Sequence, residues 1–298
     1  MKKALLIINP NSGEEEAKNY EELAHEKLNN LFDEVEVLHT QEDGDATRFA
    51  RQAADEKVDS LFVMGGDGTV NEAVNGLAEQ EYRPKFGFFP LGTVNDLAHS
   101  LNISMDPATA IEELTLERHQ ALDIGKINDS YFMNIVSVGS IPEAISEVDG
   151  EEKSKFGKLA YFTTAFKQVL HNESYHFSLE VDGEHLDIES SAVVFNLNES
   201  IGGFEQVVPN AKPDDGKLHL LYLKDHRITD TFKSVPDILK GIDHSTEYVG
   251  YQPFSEATLS VKDDVTLHPS VDGDEGPELP LHLKVLPQHL EVYYGPEE

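Results

Sequence analysis

The fold is decided by residues 60–77, which read SLFVMGGDGTVNEAVNGL. A short apolar run over residues 60–64 leads directly into the glycine-rich sequence GGDGT at 65–69, and such a run before glycines is typical of a buried strand. After the glycines, apolar side chains recur at the spacing of one helical face, at Val70, Ala73, Val74 and Leu77. The stretch therefore predicts a strand, a tight turn and a helix that starts near Thr69.

The same alternation of strands and helices extends on both sides of this stretch. We predict strands over residues 3–9, 35–38, 60–64 and 86–90, and further helices over residues 14–31, 46–57 and 95–101. Strands that alternate with helices form a doubly wound parallel sheet, here Rossmann-like, and such sheets bind ligands at the carboxyl ends of their strands. Three glycine-bearing turns follow strands in this sequence, so we expect the functional site at that edge.

A second domain is indicated after residue 125, where the pattern becomes rich in strands. The expected strands cover residues 131–138, 176–181, 191–196, 218–223, 257–261 and 281–285, with helices inserted at 155–170 and 228–239. Gly, Asp and Asn separate these strands about every ten residues, as in an antiparallel β-sandwich. We therefore predict an α/β domain over residues 1–125, to which the tail at 290–298 returns, and a β-rich domain over residues 126–289.

Composition excludes several classes of protein. The chain has 298 residues, with 23 Lys and Arg against 56 Asp and Glu, and its formal net charge is −33. This charge repels nucleic acid phosphates, which excludes a nonspecific nucleic-acid binder. Adaptation to high salt is one explanation of the excess of carboxylates. The absence of cysteine excludes a disulfide scaffold, a zinc ribbon and thiol chemistry, and it suits the cytosol. The apolar run near the N-terminus is too short for a secretion signal or a membrane span.

The turn at residues 65–69 has the composition of a phosphate-binding loop. Glycines let the backbone approach a phosphate, and the free N–H groups at the start of the next helix point towards it. Asp67 inside this turn would repel a phosphate unless a divalent cation bridges the two, or unless its carboxylate orients a hydroxyl group. A tight turn in which Asp67 caps the helix remains the alternative interpretation.

A second turn, Gly92-Thr93-Val94-Asn95-Asp96, repeats this layout at the end of the next strand. Asn95 or Asp96 alone could be a helix N-cap. Two such turns at neighbouring strand ends face one cleft, however, which favours a shared ligand site. Neither turn matches the dinucleotide-binding pattern G-x-G-x-x-G or a Walker A loop.

These motifs resemble the soluble diacylglycerol kinase catalytic family of bacterial lipid kinases, which is related to sphingosine kinases and NAD kinases. The resemblance begins with Asn9-Pro10-x-Ser12-Gly13 and the two glycine turns. It continues over nearly the whole chain, with KFGKLAY at 155–161, GGF at 202–204, Pro209, DGKL at 215–218 and DGD at 272–274. NAD kinases share the first turn and the pair Asn71-Glu72, whereas the second turn points to the lipid-kinase branch.

The resemblance implies an NAD-kinase-like fold in which Mg²⁺ and ATP bind between the two domains. It assigns nucleotide binding to Asn9, Ser12, Gly13, Gly65, Gly66, Asp67, Gly68, Thr69, Asn71, Glu72, Gly92, Thr93, Asn95 and Asp96. It implies that Asp67, Asp96 and Asp123 surround Mg²⁺, partly through waters. A second, structural metal site would use Asp215 and the Leu218 carbonyl, with a simple loop cap as the alternative.

The resemblance also implies that diacylglycerol enters the β-rich domain and is phosphorylated to phosphatidate. Asp272 would be the general base, and Asp274 stands where the family usually has Glu, with Glu275 able to replace it. Asp-Gly is also a strong hairpin signal, so a plain turn at Asp272 is the alternative. Other acceptors remain open, namely a sphingoid base, an undecaprenol-like alcohol or NAD, as does a non-catalytic nucleotide- or lipid-binding protein.

Two departures from the family concern positions that are basic in many relatives. Here they hold Glu14 and His99, so a charge-assisted phosphate contact is missing at each unless Lys18, Lys153, Lys155 and Lys158 compensate. The expected partners are a diacylglycerol-like lipid and the inner face of the membrane, contacted peripherally around residues 153–167. A homodimer is left open, and no nucleic acid is expected.

Overall fold

The computed structural model describes residues 1–13, 17–92, 95–139, 174–201, 206–224, 234, 237–238 and 240–296. The chain divides into two compact units. The first unit consists of Met1–Ile124, Ser130–Met133 and Leu286–Glu298, and the second of Gly125–Asp129 and Asn134–Val285. None of the helices in the described ranges combines the length and the apolar character needed to cross a membrane.

The first unit contains a parallel sheet with helices on both faces. Its strands are β1 (Lys3–Ile8), β2 (Glu34–His39), β3 (Ser60–Gly65) and β4 (Lys85–Pro90), in the order β2-β1-β3-β4. Its helices are α1 (Ala17–Leu31), α2 (Asp45–Asp55), α3 (Asp67–Leu77), α4 (Asp96–Ser100) and α5 (Pro107–Glu113). The end of a long strand, β16 (Leu281–Tyr293), pairs in parallel with β4. This architecture confirms the predicted doubly wound sheet.

Both faces of this sheet are buried, because alternate residues of each strand pack against different helices. Leu5 and Ile7 belong to one apolar cluster with residues of α2 and α3. Leu6 and Ile8 belong to another cluster with residues of α1 and α5. A strand covered on both faces must be apolar throughout, which explains the continuous apolar runs of β1 and β3.

The second unit contains two antiparallel sheets, which confirms the expected β-rich domain. One sheet has the order β12-β11-β10-β7-β14-β15, with β7 (Ile135–Gly139), β10 (Ala192–Asn196), β11 (Leu218–Leu223), β12 (Val249–Phe254), β14 (Ser270–Val271) and β15 (Asp274–Glu275). In the other, the beginning of β16 is followed by β13 (Glu256–Val261), β8 (Tyr175–Val181) and β9 (Glu184–Ser190). Strand β5 (His119–Ile127), which belongs to the first unit as far as Ile124, pairs with β16 and with the short β6 (Ser130–Phe132) of the first unit.

Several elements differ from the sequence-based prediction. Helix α5 and strands β5, β9 and β12 were not predicted, the hairpin between β14 and β15 was only the alternative interpretation of Asp272-Gly273, and β16 continues to Tyr293 instead of ending at residue 285. Pro253 argues against a strand, but β12 is the edge strand of its sheet, where proline is tolerated. The strand predicted over 131–138 is divided between β6 and β7. Of the predicted helices, 155–170 lies outside the described residues, and 228–239 is described only at Ser234, Asp237 and Ile238, where the backbone is helical.

Candidate active site

The two glycine turns of the first unit touch each other at the carboxyl ends of β3 and β4. The N–H of Leu91 donates a hydrogen bond of 2.9 Å to the carbonyl of Gly65. A Cβ atom on Gly66 would lie 3.3 Å from the Cα of Gly92, and one on Gly92 would lie 3.0 Å from the Cα of Gly66. The contact therefore depends on glycine at both positions.

Helix α3 begins beside this contact. Its N-cap residue is Gly66, which has no side chain to cap the helix, and the N–H of Asp67 bonds to its own carboxylate. The first N–H groups of a helix have no partner within the helix, and the helix dipole favours an anion near them. Space around Gly68 is open, because a Cβ atom there would meet nothing within 4 Å. The turn can therefore receive phosphate oxygens.

The loop after β1 is tied to the same place. The side-chain Nδ2 of Asn9 donates to Oγ1 of Thr69 at 3.0 Å, and the Oδ1 of Asn9 accepts from the N–H of Asn11 at 3.0 Å. The N–H of Ser12 donates to the carbonyl of Asn9 at 3.2 Å, and Gly13 has φ +62°. The three turns that the sequence singled out thus lie along one edge of the sheet.

Asn95 fixes the geometry of the second turn. Its backbone is left-handed, with φ +50°, and its side chain is 4% exposed. Its Oδ1 accepts from the N–H of Gly92 at 3.0 Å, and its Nδ2 donates to the carbonyl of Gly92 at 2.7 Å. Its main-chain N–H donates to Oδ2 of Asp67 at 2.9 Å, which connects the two turns.

Asp67 and Asp96 form an electrostatically coupled pair. Burial raises the pKa of the Asp67 carboxyl above its usual range, and the charge of Asp96 raises it further. The hydrogen bond from the Asn95 N–H acts in the opposite direction.

The pair fits Mg²⁺, which binds proteins through one or two carboxylates and completes its shell with phosphate oxygens and water. Burial and the neighbouring charge of Asp96 disfavour the ionised form of Asp67, and a bound cation would offset both effects. Across the described ranges, no group of three or more His, Asp or Glu side chains is arranged to hold a metal ion. The structure thus brings Asp67 and Asp96 together, whereas a three-carboxylate site with Asp123 stays a prediction.

Asp123 and Glu72 make contacts that stabilise the fold. Asp123 is 2% exposed, and its Oδ1 accepts from the N–H of Gln288 at 2.6 Å. Oε2 of Glu72 accepts from the N–H of Ala46 at 3.2 Å, in the first turn of α2. Thr93 and Glu14 lie outside the described residues. A nucleotide contact by Glu72, Asn71 or Thr93 therefore stays a prediction.

In the second unit, Asp272 occupies the first position of a two-residue hairpin turn between β14 and β15. Asp272 has φ +49° and Gly273 has φ +98°, so the Asp-Gly sequence does form the turn that it signals. Oδ1 of Asp272 accepts from the N–H groups of Asn134 at 3.0 Å and of Ile135 at 2.8 Å. Asp274 is exposed on β15. The carboxylate of Asp272 is thereby held in one orientation.

The hairpin at Asp182 repeats this construction. Asp182 has φ +47° and Gly183 has φ +82°, and they join β8 to β9. Oδ1 of Asp182 accepts from the N–H groups of Ser255 at 2.9 Å and Glu256 at 3.0 Å. Two backbone hydrogen bonds are therefore a general device for an Asp-Gly turn, and they do not by themselves mark Asp272 as a catalytic residue.

Asp215 has the contacts of a loop cap. Its Oδ1 accepts from the N–H of Lys217 at 2.8 Å, and its Oδ2 from the N–H of Lys212 at 3.1 Å and from Nε2 of His219 at 3.1 Å. Burial opposes ionisation, but His219 and these N–H groups outweigh it, so the pKa of Asp215 lies below its usual range. These contacts agree with the loop-cap interpretation, and a metal at Asp215 and Leu218 stays a prediction.

Sequence reasoning missed the buried polar residues around these two aspartates. His219 is 3% exposed and its Nδ1 is 2.9 Å from the hydroxyl of Tyr251. Asn134 and Asn198 are 4% and 1% exposed, and both interrupt apolar sequence. The available signal was that interruption, since a polar residue inside an apolar strand run must find partners in the core.

Comparison with known proteins extends over both units. Residues 3–127 match the family described as diacylglycerol kinase catalytic domain, and residues 134–294 match the YegS C-terminal NAD kinase beta sandwich-like domain. A protein of Streptococcus pneumoniae serotype 4 named "Putative lipid kinase" is 38% identical over 298 residues, 100% of each chain. A diacylglycerol kinase of Staphylococcus aureus is 33% identical over 98% of this chain and 92% of that one. The crystal structure of a diacylglycerol kinase from Bacillus anthracis aligns with a TM-score of 0.80 and 26% identity, over 99% of this chain and 97% of that one.

The matches define a class in which a kinase catalytic domain is followed by an NAD kinase-like β-sandwich domain. The chain belongs to the diacylglycerol kinase-like family of lipid kinases, which are transferases with an alcohol acceptor. This confirms the family that the sequence motifs indicated.

Proposed function

We propose that this protein transfers the γ-phosphoryl group of ATP to a lipid alcohol, with diacylglycerol as acceptor and phosphatidate as product. The observation that carries the proposal is the pair Asp67 and Asp96 at two touching glycine turns, beside the N-terminus of α3. The diacylglycerol kinases named among the relatives support the choice of acceptor. We further propose that contact with the inner membrane face is peripheral.

In this proposal the residues of the first unit bind and orient the triphosphate. The N–H groups at the start of α3 donate to phosphate oxygens, and Gly66 and Gly92 keep the backbone accessible. Asp67 and Asp96 would hold Mg²⁺, which would supply positive charge against the phosphate oxygens. Asn95 keeps the Asp67 carboxylate in place.

Asp272 is the proposed general base. It accepts the proton of the acceptor hydroxyl while the hydroxyl oxygen bonds to the γ-phosphorus and the bond from that phosphorus to ADP breaks. Such a base needs a fixed orientation towards the proton it removes, and the hydrogen bonds from Asn134 and Ile135 provide it within the second unit. Asp274 or Glu275 would assist from β15.

Activity with labelled ATP tests this assignment. Purified protein with Mg²⁺, ATP and diacylglycerol in mixed micelles should yield phosphatidate, and Asp272→Asn should lower kcat by about 100- to 10,000-fold. Asp182→Asn is the matched control, because it changes the same atom in the same kind of turn, and it should keep wild-type kcat. Wild-type turnover by Asp272→Asn would remove this residue from the mechanism.

The acceptor requires its own comparison. Diacylglycerol, a sphingoid base, an undecaprenol-like alcohol and NAD should be offered to the same preparation at equal concentration. We expect the highest kcat/KM for diacylglycerol. Exclusive phosphorylation of NAD would contradict a lipid acceptor, and nucleotide binding by calorimetry without turnover of any alcohol would indicate a non-catalytic binding protein.

A further inference from the structure

A group of buried asparagines lies next to Asp272 in the second unit. Asn134, Asn196 and Asn198 are 4%, 0% and 1% exposed. They interrupt apolar sequence, FMNIV at 132–136 and FNLN at 195–198. A buried amide is costly unless it is hydrogen-bonded, so this group in the interior of a β-rich unit requires an explanation.

Hydrogen bonds connect the group to Asp272 step by step. The N–H of Asn134 donates to Oδ1 of Asp272 at 3.0 Å. The side-chain Oδ1 of Asn134 accepts from Nδ2 of Asn198 at 2.9 Å, and its carbonyl accepts from the N–H of Leu197 at 2.9 Å. Nδ2 of Asn196 in turn donates to the carbonyl of Asn198. Asn134 is thus fixed by both its side chain and its backbone.

This arrangement is not the one that would give the most stable core. Among the described residues, two of the buried atoms without a hydrogen-bond partner are Oδ1 of Asn196 and Oγ of Ser200. The residues are 0% and 3% exposed. Unsatisfied buried polar atoms lower the free energy of unfolding, and they concentrate at sites where function constrains the sequence. The buried amides therefore point to a requirement other than stability.

The hairpin at Asp182 shows that the turn itself does not need such support. Its carboxylate is held by the N–H groups of Ser255 and Glu256 through exposed hydrogen bonds. The corresponding bonds of Asp272 are partly buried and come from the N–H groups of Asn134 and Ile135, and the side chain of Asn134 is fixed by Asn198. The two turns have the same local geometry and differ in what lies behind the donors.

We propose that Asn134 and Asn198 are positioning residues for Asp272. Asn198 holds the side chain of Asn134, which keeps the N–H groups of residues 134 and 135 aimed at one oxygen of the Asp272 carboxylate. The carboxylate is then oriented before the lipid arrives, which contributes to kcat more than to substrate binding. This inference rests on the proposed role of Asp272 as general base.

Asn198→Leu tests the inference, because leucine has a similar size and lacks the Nδ2 donor. We expect kcat for diacylglycerol to fall about 10-fold or more, since a small misplacement of a reacting group can cost on the order of 100-fold. The KM for ATP should stay within about 2-fold, because the first unit binds the nucleotide. Amide hydrogen exchange of a peptide covering residues 132–137 should become faster, which reports the loosened donors without reference to activity.

The double variant Asn134→Leu/Asn198→Leu guards against a failure to fold. Replacing both partners leaves no unpaired amide between them, so this protein should retain its Tm while kcat falls as in the single variant. Asp182→Ala is the matched control. It loosens the equivalent turn elsewhere, and it should change exchange near residues 255 and 256 but leave kcat unchanged.

The outcomes separate this inference from the proposed function. If Asp272→Asn is inactive but Asn198→Leu keeps wild-type kcat, the positioning role is overturned and the general base stands. An equal loss of kcat in Asp182→Ala would also overturn it, because the effect would then be general destabilisation. Wild-type kcat in Asp272→Asn, or a wild-type protein that phosphorylates no lipid alcohol, would overturn the proposed function and the positioning role together.

Discussion

The main-chain N–H of Asn95 donates a hydrogen bond of 2.9 Å to Oδ2 of Asp67, and this bond joins the turn after β4 to the turn after β3. Asn95 donates this bond from a left-handed backbone conformation, with φ +50°. Asp67 is therefore held where its own burial and the charge of Asp96 disfavour its ionised form. A bound cation would reduce the repulsion between the carboxylates of Asp67 and Asp96.

Asp67→Asn should lose activity and gain stability. Asparagine keeps an oxygen for the Asn95 N–H but lacks the charge, so kcat/KM should fall on the order of 100-fold while Tm at neutral pH rises. Because the folded pKa of Asp67 lies above the ordinary value of 3.8, the ionised carboxylate lowers stability above that folded pKa. The gain in Tm should therefore shrink as pH falls towards 3.8. Thermal unfolding over this pH range checks the sign, and a lower Tm at neutral pH would contradict it.

Gly92→Ala should destabilise the first unit. The new Cβ would lie 2.6 Å from Oδ1 of Asn95 and 3.0 Å from the backbone of Gly66, so the two turns must separate. We expect a loss of about 1–3 kcal/mol in the free energy of unfolding, the usual cost of overpacking. Gly68→Ala is the control, because its Cβ would meet nothing within 4 Å. Urea unfolding of both variants measures the difference, and equal stability would refute the close approach.

The sequence predicted this edge of the sheet well because its signals are local. The apolar run of β3, the glycines that follow it and the apolar face of α3 lie within eighteen consecutive residues, 60–77. Contacts between distant residues had no such signal. The bond from Gln288 to Asp123 joins positions 165 residues apart, and it became visible only when β16 proved to continue past residue 285.

The second unit shows the same limit for individual side chains. The sequence Asp272-Gly273 correctly indicated a hairpin, but it could not show that Asp182-Gly183 forms an equivalent one with equivalent donors. The resemblance to the family implied a cation at Asp215, but it gave no sign that His219 lies against the same carboxylate. His219 lies in β11, four residues after Asp215, and the loop before β11 brings the two side chains together. Their separation in the sequence does not predict this contact.

Asp45→Asn should lower the Tm at neutral pH, and this decrease should disappear at acidic pH. The Asp45 carboxylate accepts from the N–H of Gln41 at 2.8 Å and from Arg48 at 2.6 Å, and these bonds hold its pKa below the ordinary value of 3.8. Its stabilising contribution is present above that value and disappears as pH falls through the folded pKa. Asp43→Asn removes the same charge from an exposed position nearby, so its Tm should stay close to that of the wild type. Similar Tm changes in both variants would point to net charge instead of these bonds.

Magnesium should distinguish Asp67 from Asp215. Mg²⁺ with ADP should raise the Tm of the wild type, because a ligand that binds only the folded state stabilises it, and EDTA should remove the increase. Asp67→Asn should lose most of this increase. Asp215→Asn should unfold at a lower temperature throughout, because its amide has one acceptor oxygen where the carboxylate has two, and a buried donor without an acceptor costs about 1–3 kcal/mol.

The increase in Tm with Mg²⁺ and ADP should nevertheless be the same in Asp215→Asn as in the wild type, because the contacts of Asp215 are with protein N–H groups and an imidazole. Differential scanning fluorimetry of the three proteins, with and without EDTA, makes the comparison. If Asp215→Asn abolished the increase and Asp67→Asn preserved it, the cation would lie in the second unit, and the assignment of Asp67 and Asp96 to the metal would have to be abandoned.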